Sequence, residues 1–378
     1  MSEIRVDTIS EKTSGSGTTV SNLKNPNSPF RNLITNGDMQ VHQRGGSTQI
    51  TTSDGMAVDR FKVSTRVTSY DATWSQSTTV PSGQGFTTSL KCDVNGTASP
   101  TGSANYLLGQ RFEGQYLQHL QFGTSSAESL TIQFWVRSSK TGTYCFQARS
   151  LDDVKSCIVE YTISSADTWE KKTITLSGNT ANDFDNDNAA SLEFCWHLSV
   201  GTDDDNETAS SSWGVGSNSF VTTSNQVNLF DSASAEWYIT GIQVEVGTTA
   251  TDFEHLPFDV QLRRCQRYFQ TLEMASNSMI TGAATATTNT HVNFQHPDGK
   301  MRAAPTVTLP TAGNSSNTTA FLTAPGAYPS TIGSHAASVI TEHLVRVDGT
   351  SYSANFIAGY ASLFYSNGTN TFKMDAEL

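Results

Sequence analysis

Apolar and polar residues alternate along most of the segment 129–253, and Gly, Asn, Asp and Ser interrupt the alternation at short intervals. Every second side chain of a pleated strand lies on the same face, so each alternating run predicts a strand with one buried and one solvated face. No helical period separates these runs, which favours an antiparallel β-sandwich. Such a fold mainly presents loops and faces, so binding is the first functional hypothesis. The clearest runs are 130–136, 157–163, 192–200 and 242–246.

One helical pattern follows the last of these runs. Apolar residues recur there at spacings of three and four, as the buried face of a helix requires. They are Leu262, Cys265, Phe269 and Leu272. Asp259 is placed to cap the N-terminus. We therefore predict a connecting helix over 256–274.

The chain of 378 residues is long for a single core, since cores usually stop growing beyond roughly 250–300 residues. The pattern divides it into an arm over 1–30, a sandwich over 31–255, the helix over 256–274 and a small β domain over 275–378. The arm holds few apolar residues apart from Ile4, Val6 and Ile9. It has too little apolar area for its own core, so it is either a flexible tail or an arm that becomes ordered against a partner. The isolated strand pattern favours the arm.

The composition is poor in charge and rich in hydroxyl groups. Charged residues make up 15% of the chain, against roughly 25% in average globular proteins. The formal net charge is −12, which opposes a nucleic-acid partner because phosphate binding draws on clustered Lys and Arg. The one dense basic cluster, Arg263, Arg264 and Arg267, is better explained by solvation or ion pairs than by a site.

Five cysteines are scattered without a CxxC pair, and an odd number cannot all pair within one chain. We predict buried free thiols, which suits assembly in a reducing cytoplasm. No stretch approaches the roughly 18–20 apolar residues that span a bilayer, and the first residues lack the apolar region of a signal peptide. We therefore expect no membrane insertion and assembly in the cytosol.

Several short segments, taken together and in order, resemble bacteriophage fibre proteins, in particular those of marine phages. They are NLITNGDM (32–39), QRG (43–45) and DRF (59–61), then IQVEVG (242–247), FE (253–254) and RRCQRYF (263–269), and finally DAEL (375–378). The middle of such proteins is similar to jelly-roll carbohydrate-binding modules. The resemblance therefore implies an all-β, jelly-roll-like β-sandwich, with the arm, one short helix and a small C-terminal β domain around it.

The resemblance also implies a virion structural protein on the tail or capsid surface. The expected role is a homotrimeric tail fibre that binds host-surface glycan and other virion proteins, the latter through Ile4, Val6 and Ile9. A head fibre, a capsid decoration protein or a tail adaptor without a receptor is the alternative, because no long shaft is present.

The best candidate for a glycan site is Trp213, which stands among Ser and Gly just after an acidic run. An exposed indole can stack on a sugar ring, and Asp203, Asp205 and Asn206 would bond its hydroxyls. Alternatively, Trp213 tucks under its loop or fills a subunit contact. Four other tryptophans fall in strand patterns, where core packing, opposite-face packing or an interface is favoured over ligand stacking. They are Trp74, Trp135, Trp196 and Trp237.

Asp183, Asp185 and Asp187 alternate with other residues in a second polar loop. Calcium prefers several such oxygen ligands. The spacing lacks the Gly and the final Glu of an EF-hand, so a solvated loop is the alternative and calcium is the one cofactor to consider.

No catalytic residues are predicted. The chain has no GxSxG, HExxH or P-loop motif, and its eight histidines are dispersed. A polysaccharide depolymerase would need two opposed carboxylates, and nothing in the pattern selects a pair. We expect a protein that is not an enzyme.

Overall fold

The computed structural model describes most of the chain from Phe30 onwards. The predicted attachment residues Ile4, Val6 and Ile9 lie outside the described residues. The described ranges are 30–51, 54–66, 70–215, 220–275, 278–284, 289–309, 319–323, 334–350, 361–366 and 370–378.

Up to residue 255 the described chain consists of β-strands joined by loops and short 3-10 turns. The turns are Gly114–Tyr116, Gln118–Leu120 and Leu229–Asp231. The strands are β1 (Ser47–Ile50), β2 (Gly55–Val58), β3 (Phe61–Arg66), β4 (Asp71–Ser77), β5 (Ser89–Gly96), β6 (Asn105–Glu113), β7 (Leu130–Ser138), β8 (Gly142–Ser150), β9 (Ser156–Ile163), β10 (Glu170–Leu176), β11 (Ala190–Val200), β12 (Ser210–Val215) and β13 (Glu236–Val246).

These strands form two antiparallel sheets. Sheet I has the order β1-β4-β5-β13-β7-β10, and sheet II has the order β12-β9-β8-β11-β6-β3-β2. Aromatic rings from the two sheets meet between them: Trp74 stacks on Tyr106 with centroids 6.4 Å apart, and Phe134 meets Trp196 edge to face at 5.8 Å. The predicted all-β sandwich is therefore confirmed, and all four alternating runs are strands.

Strand β7 shows why the alternating pattern was informative. Leu130, Ile132 and Phe134 are fully buried in the core between the sheets. The pleat sends Gln133 and Trp135 to the opposite face of sheet I. The sandwich thus has an outer face on which an aromatic and an amide side chain stand two residues apart.

The NLITNGDM segment lies against the second half of β13, where Leu33 N donates to Val244 O and Ile242 N donates to Gly37 O. The Asn36 amide donates hydrogen bonds to Val41 O at 2.9 Å and Asp59 O at 3.0 Å, and its Oδ1 accepts from Val41 N. Gly37 approaches β13 so closely that a Cβ added there would lie 2.1 Å from Ile242 O. The Asn-Gly pair is therefore needed: Asn36 closes the loop through its side-chain hydrogen bonds, and Gly37 lies against the β13 backbone where a side chain would clash.

The predicted helix is wrong in its second half. Helix α1 (Phe258–Gln266) follows Pro257, with Asp259 in its first turn and no side-chain cap, and the chain then enters strand β14 (Phe269–Met274). Strand β14 pairs along its whole length with a strand at the end of the chain. A partner about a hundred residues away is invisible to a local apolar period, and here it overrides helix propensity.

Beyond α1 the described residues form two further sheets. The three-stranded sheet III has the order β14-β22-β17, and sheet IV has the order β18-β21-β15-β16-β20-β19. They enclose a second apolar cluster that includes Val292, Val347 and Phe372. The additional strands are β15 (Ser278–Ala284), β16 (Thr290–Gln295), β17 (Thr306–Thr308), β18 (Thr319–Thr323), β19 (Ser334–Ile340), β20 (Leu344–Thr350), β21 (Ala361–Ser366) and β22 (Asn370–Asp375).

All five cysteines are buried with free thiols, as predicted. Burial raises the pKa of each of them, so their thiols stay protonated and pack as small apolar groups. Within the part of the chain that the structure describes, no helix has the length and apolar character needed to cross a bilayer.

Candidate functional site

The outer face of sheet I carries a pocket of about 290 Å³ beside β7. Strands supply its floor, and two loops supply its walls: the loop between β4 and β5, and the segment that follows β13. The residues that line it are Gly83, Gln84, Phe86, Gln133, Trp135, Lys171, Gly241, Asp252, Phe253 and His255.

Trp135 and Gln133 form the floor. Trp135 is partly exposed, and it pairs across the ladder with Lys171 on β10, whose side chain is exposed. The Gln133 amide nitrogen donates to Thr251 O, which fixes the amide, and its Oε1 is buried. That oxygen has no hydrogen-bond partner among the described residues. The floor thus combines an indole, a cation and an acceptor that lacks a donor.

Three rings pack against one another to build the wall. Phe86, Phe253 and His255 meet pairwise with centroids 4.9–5.2 Å apart. Gly241 has φ +64°, and a Cβ there would lie 2.5 Å from the Phe86 ring, so glycine lets the loop lie on the sheet. The pocket is therefore held by packed aromatic side chains.

The outer face of sheet II, in contrast, is covered by the segment after residue 219. Phe220 lies over the Arg149 guanidinium at 4.0 Å, and Val221 N donates to Gln147 Oε1 at 3.4 Å. His197 Nε2 lies 3.1 Å from the same oxygen, and Arg149 pairs with Glu193 at 2.6 Å. The polar groups on this face are engaged with the chain itself.

Trp213 lies on the edge strand β12 and is partly buried. Its indole N–H donates to Ser177 O at 2.9 Å, and its ring meets Phe122 edge to face at 5.7 Å. This packing agrees with the alternative in which the side chain tucks under its loop. Glycan binding by Trp213 stays a prediction.

Asp203, Asp205 and Asn206 lie in the turn after β11, where Asp203 N donates to Gly102 O at 3.0 Å. Strand β12 lies three strands from β11 in sheet II, a lateral distance of roughly 14 Å at about 4.8 Å per strand. Among the described residues, no hydrogen bond or ring contact joins this turn to Trp213. The structure does not bring the four predicted residues together.

The loop of Asp183, Asp185 and Asp187 is anchored by the residue between the first two. Phe184 is buried and stacks on Phe122 with centroids 5.0 Å apart. The Asp187 carboxylate accepts from Ala189 N at 2.8 Å. No three acidic, histidine or cysteine side chains of the described chain are placed to hold a metal ion. Calcium binding stays a prediction for which the described residues offer no preformed site.

No protein-family model and no curated protein sequence matches the chain. Several solved structures are similar to the chain at low sequence identity and low TM-score. They include the enzymatically active domain of bacteriophage CBA120 tailspike protein 4 (17% identity, 58% of this chain and 22% of that chain, TM-score 0.29), the family 11 carbohydrate-binding module of a Clostridium thermocellum cellulase (10%, 55% and 99%, TM-score 0.25) and the tandem CBM22-1 and CBM22-2 modules of Paenibacillus barcinonensis Xyn10C (11%, 91% and 97%, TM-score 0.27).

The chain thus matches less than a quarter of the tailspike chain's length. At these identities and TM-scores the solved structures carry no functional argument, so a function has to be argued from the chain's own residues. Those residues place the best candidate site at Trp135, which sequence reasoning did not select. The signal was present, because the apolar residues of β7 occupy the even positions 130–136 and leave 135 for the other face.

Proposed function

We propose that the protein is a non-catalytic, glycan-binding structural protein whose binding face is the outer surface of sheet I. One observation carries the proposal: a partly exposed indole, Trp135, forms the floor of a pocket beside the unpartnered Gln133 Oε1 and the exposed Lys171.

Sugars have an apolar ring face and a rim of hydroxyls, so they need this pair of features. An indole face receives the C–H side of the ring, and planar polar side chains bond the rim. A hydroxyl is the donor that Gln133 Oε1 lacks, and the Lys171 ammonium can donate to a second oxygen. The loop rings keep the pocket in shape before a ligand arrives, which lowers the entropy cost of binding.

We further propose that the protein is a virion component, a homotrimeric tail fibre located on the phage particle. The segments that resemble phage fibre proteins, and their order along the chain, support this role. Three shallow sites on one fibre would gain avidity without new contacts. A head fibre, decoration or adaptor protein would keep the same fold without using the pocket.

The experiment is a glycan array of bacterial surface polysaccharides, probed with the purified chain and two tryptophan variants. Trp135→Ala should lose about ten-fold or more in affinity, since stacking contributes roughly 1–2 kcal/mol. Trp213→Ala is the matched control and should bind as the wild type does. Loss of binding with Trp213→Ala alone would place the site on sheet II. If the wild-type protein bound no glycan on the array, but an antibody against it labelled phage particles, the purely structural role would be favoured.

A further inference from the structure

A larger cavity, of about 430 Å³, lies at one end of the sandwich and shares no lining residue with the Trp135 pocket. Helix α1 forms one wall, the turn Gly114–Tyr116 forms another, and the segment 30–35 forms the third. The cavity contains the arginine cluster for which the sequence indicated no site. The charged and aromatic side chains that line it include Arg60, Arg263, Arg264 and Arg267, with Glu113 and Tyr116.

Two of the four arginines are neutralised by carboxylates. Arg267 makes a two-point ion pair with Glu113, with Nε and one terminal nitrogen at 2.7 and 2.6 Å from the carboxylate oxygens. Arg60 pairs with Glu377 and stacks on the Tyr268 ring at 3.4 Å. The expectation of ion pairs therefore holds for part of the cluster.

The other two arginines have no carboxylate within 4 Å among the described residues. Arg263 is exposed and donates to Asp298 O at 3.3 Å. Arg264 donates to Asn32 O at 3.2 Å, while its other terminal nitrogen is buried without a partner. Burial lowers the pKa of Arg264, because the loss of hydration outweighs the attraction of acidic groups such as Glu254. On a chain with a net charge of −12, this cavity is locally positive.

The remaining walls indicate the size and polarity of the uncharged part of an anionic ligand. Leu33, Phe112 and Leu117 are apolar, and the rings of Phe30 and Tyr116 are exposed beside the opening. A volume of about 430 Å³ lies within the roughly 300–1,000 Å³ of ligand pockets. The partly buried Arg264 guanidinium, which has no carboxylate within 4 Å among the described residues, matches a single negative charge, and apolar walls disfavour a dianion such as phosphate.

We propose that this cavity binds an acidic sugar residue of the hexuronate class, with its carboxylate on the Arg264 guanidinium and its ring against the aromatic rim. The proposal rests on the proposed glycan role for the choice of a sugar. The positive charge of the arginines and the presence of the cavity do not depend on that role.

The test compares trigalacturonate with its methyl ester, in which methyl groups cap the carboxylates and remove their charge, by isothermal titration with the full-length protein. The acid should bind, and the ester should bind at least about ten-fold more weakly. Arg264→Gln, which removes the charge and keeps a polar side chain, should weaken binding of the acid by about ten-fold or more. Its Tm should be unchanged or raised, because an uncompensated charge has been removed. Arg346→Gln is the control, an arginine of β20 that is paired with Asp348.

Equal affinities for acid and ester, an unchanged affinity in Arg264→Gln, or no binding of the acid at 10 mM would each overturn the proposal. Binding of benzoate without binding of trigalacturonate would show that the ligand is a carboxylate but not a sugar. Trp135→Ala separates this proposal from the proposed function: it should weaken array binding of neutral glycans by about ten-fold or more and leave trigalacturonate binding intact.

Discussion

Replacement of His197 by Gln tests the covered face of sheet II. His197 is fully buried, with Nε2 3.1 Å from Gln147 Oε1 and its ring 6.5 Å from that of Phe220. Burial, together with the charge of Arg149, lowers the pKa of His197 from 6.5 to about 3. A glutamine can fill much of the same space and keep a hydrogen bond to Gln147 without titrating.

The sign follows from which state takes up the proton. As pH falls below 6.5, the unfolded chain protonates this histidine while the folded chain does not, so protons favour unfolding. The contribution of the neutral histidine is fully present above pH 6.5 and is lost as pH falls toward the folded pKa of about 3. The slope is about 1.4 kcal/mol per pH unit, which gives about 3 kcal/mol between pH 6.5 and 4.5.

The assay is urea unfolding at pH 7, 6, 5 and 4.5, followed by the fluorescence of the buried core tryptophans. The difference between wild type and His197→Gln isolates this one proton from all other groups. The variant should gain about 3 kcal/mol relative to the wild type between pH 7 and 4.5. His119→Gln, at an exposed position, is the control for loss of a histidine. Parallel profiles for wild type and His197→Gln would refute the reasoning.

Three further substitutions test other parts of the structure. Gly37→Ala should cost about 1–3 kcal/mol of stability in thermal melts, because its Cβ would meet Ile242 O at 2.1 Å. The control Gly96→Ala, whose Cβ makes only an ordinary contact at 3.9 Å, should cost less, and equal losses would contradict the close approach. Gly241→Ala should reduce neutral-glycan binding in the array, since its Cβ displaces the Phe86 ring that walls the pocket, and full binding would show that this wall is not needed. Glu377→Ala should cost about 3 kcal/mol by leaving the Arg60 charge buried without its partner, and an unchanged urea midpoint would count against that pairing.

The strands of the sandwich could be predicted because their information is local. In β7, β11 and β13 the apolar side chains report which face meets the core, and a run of five or more alternating residues has no competing helical period. The expectation of one solvated face is wrong for β11 and β13, whose inner residues are buried on both faces. The helix prediction failed at Phe269 and Leu272, which lie on opposite faces of β14, because pairing with the distant β22 and not the local apolar spacing decides the conformation there. Contacts of that sequence separation leave no trace in a local window.

The candidate site was predictable only in part. Alternation in β7 places Trp135 on the outer face, but nothing local shows that the loops carrying Phe86 and Phe253 fold over the same spot. Trp213 illustrates the converse case: small, polar neighbours predicted an exposed ring, whereas packing on Phe122 uses one of its edges. Loop residues acquire their surroundings from tertiary structure, so composition alone ranks them poorly.

The segments that resemble fibre proteins are far apart in sequence, yet several of them meet at one place in the fold. Arg44 of QRG lies over the Phe269 ring of RRCQRYF at 3.7 Å and pairs with Asp375 of DAEL at 2.9 Å. Arg60 of DRF stacks on Tyr268 and pairs with Glu377 in the same way. Each arginine therefore joins the sandwich, the chain after α1 and the last residues in one contact. These segments therefore form a structural joint, which fixes the C-terminal strands to the sandwich. They also supply more than half of the residues that line the arginine cavity, whereas the Trp135 pocket lies mostly outside them.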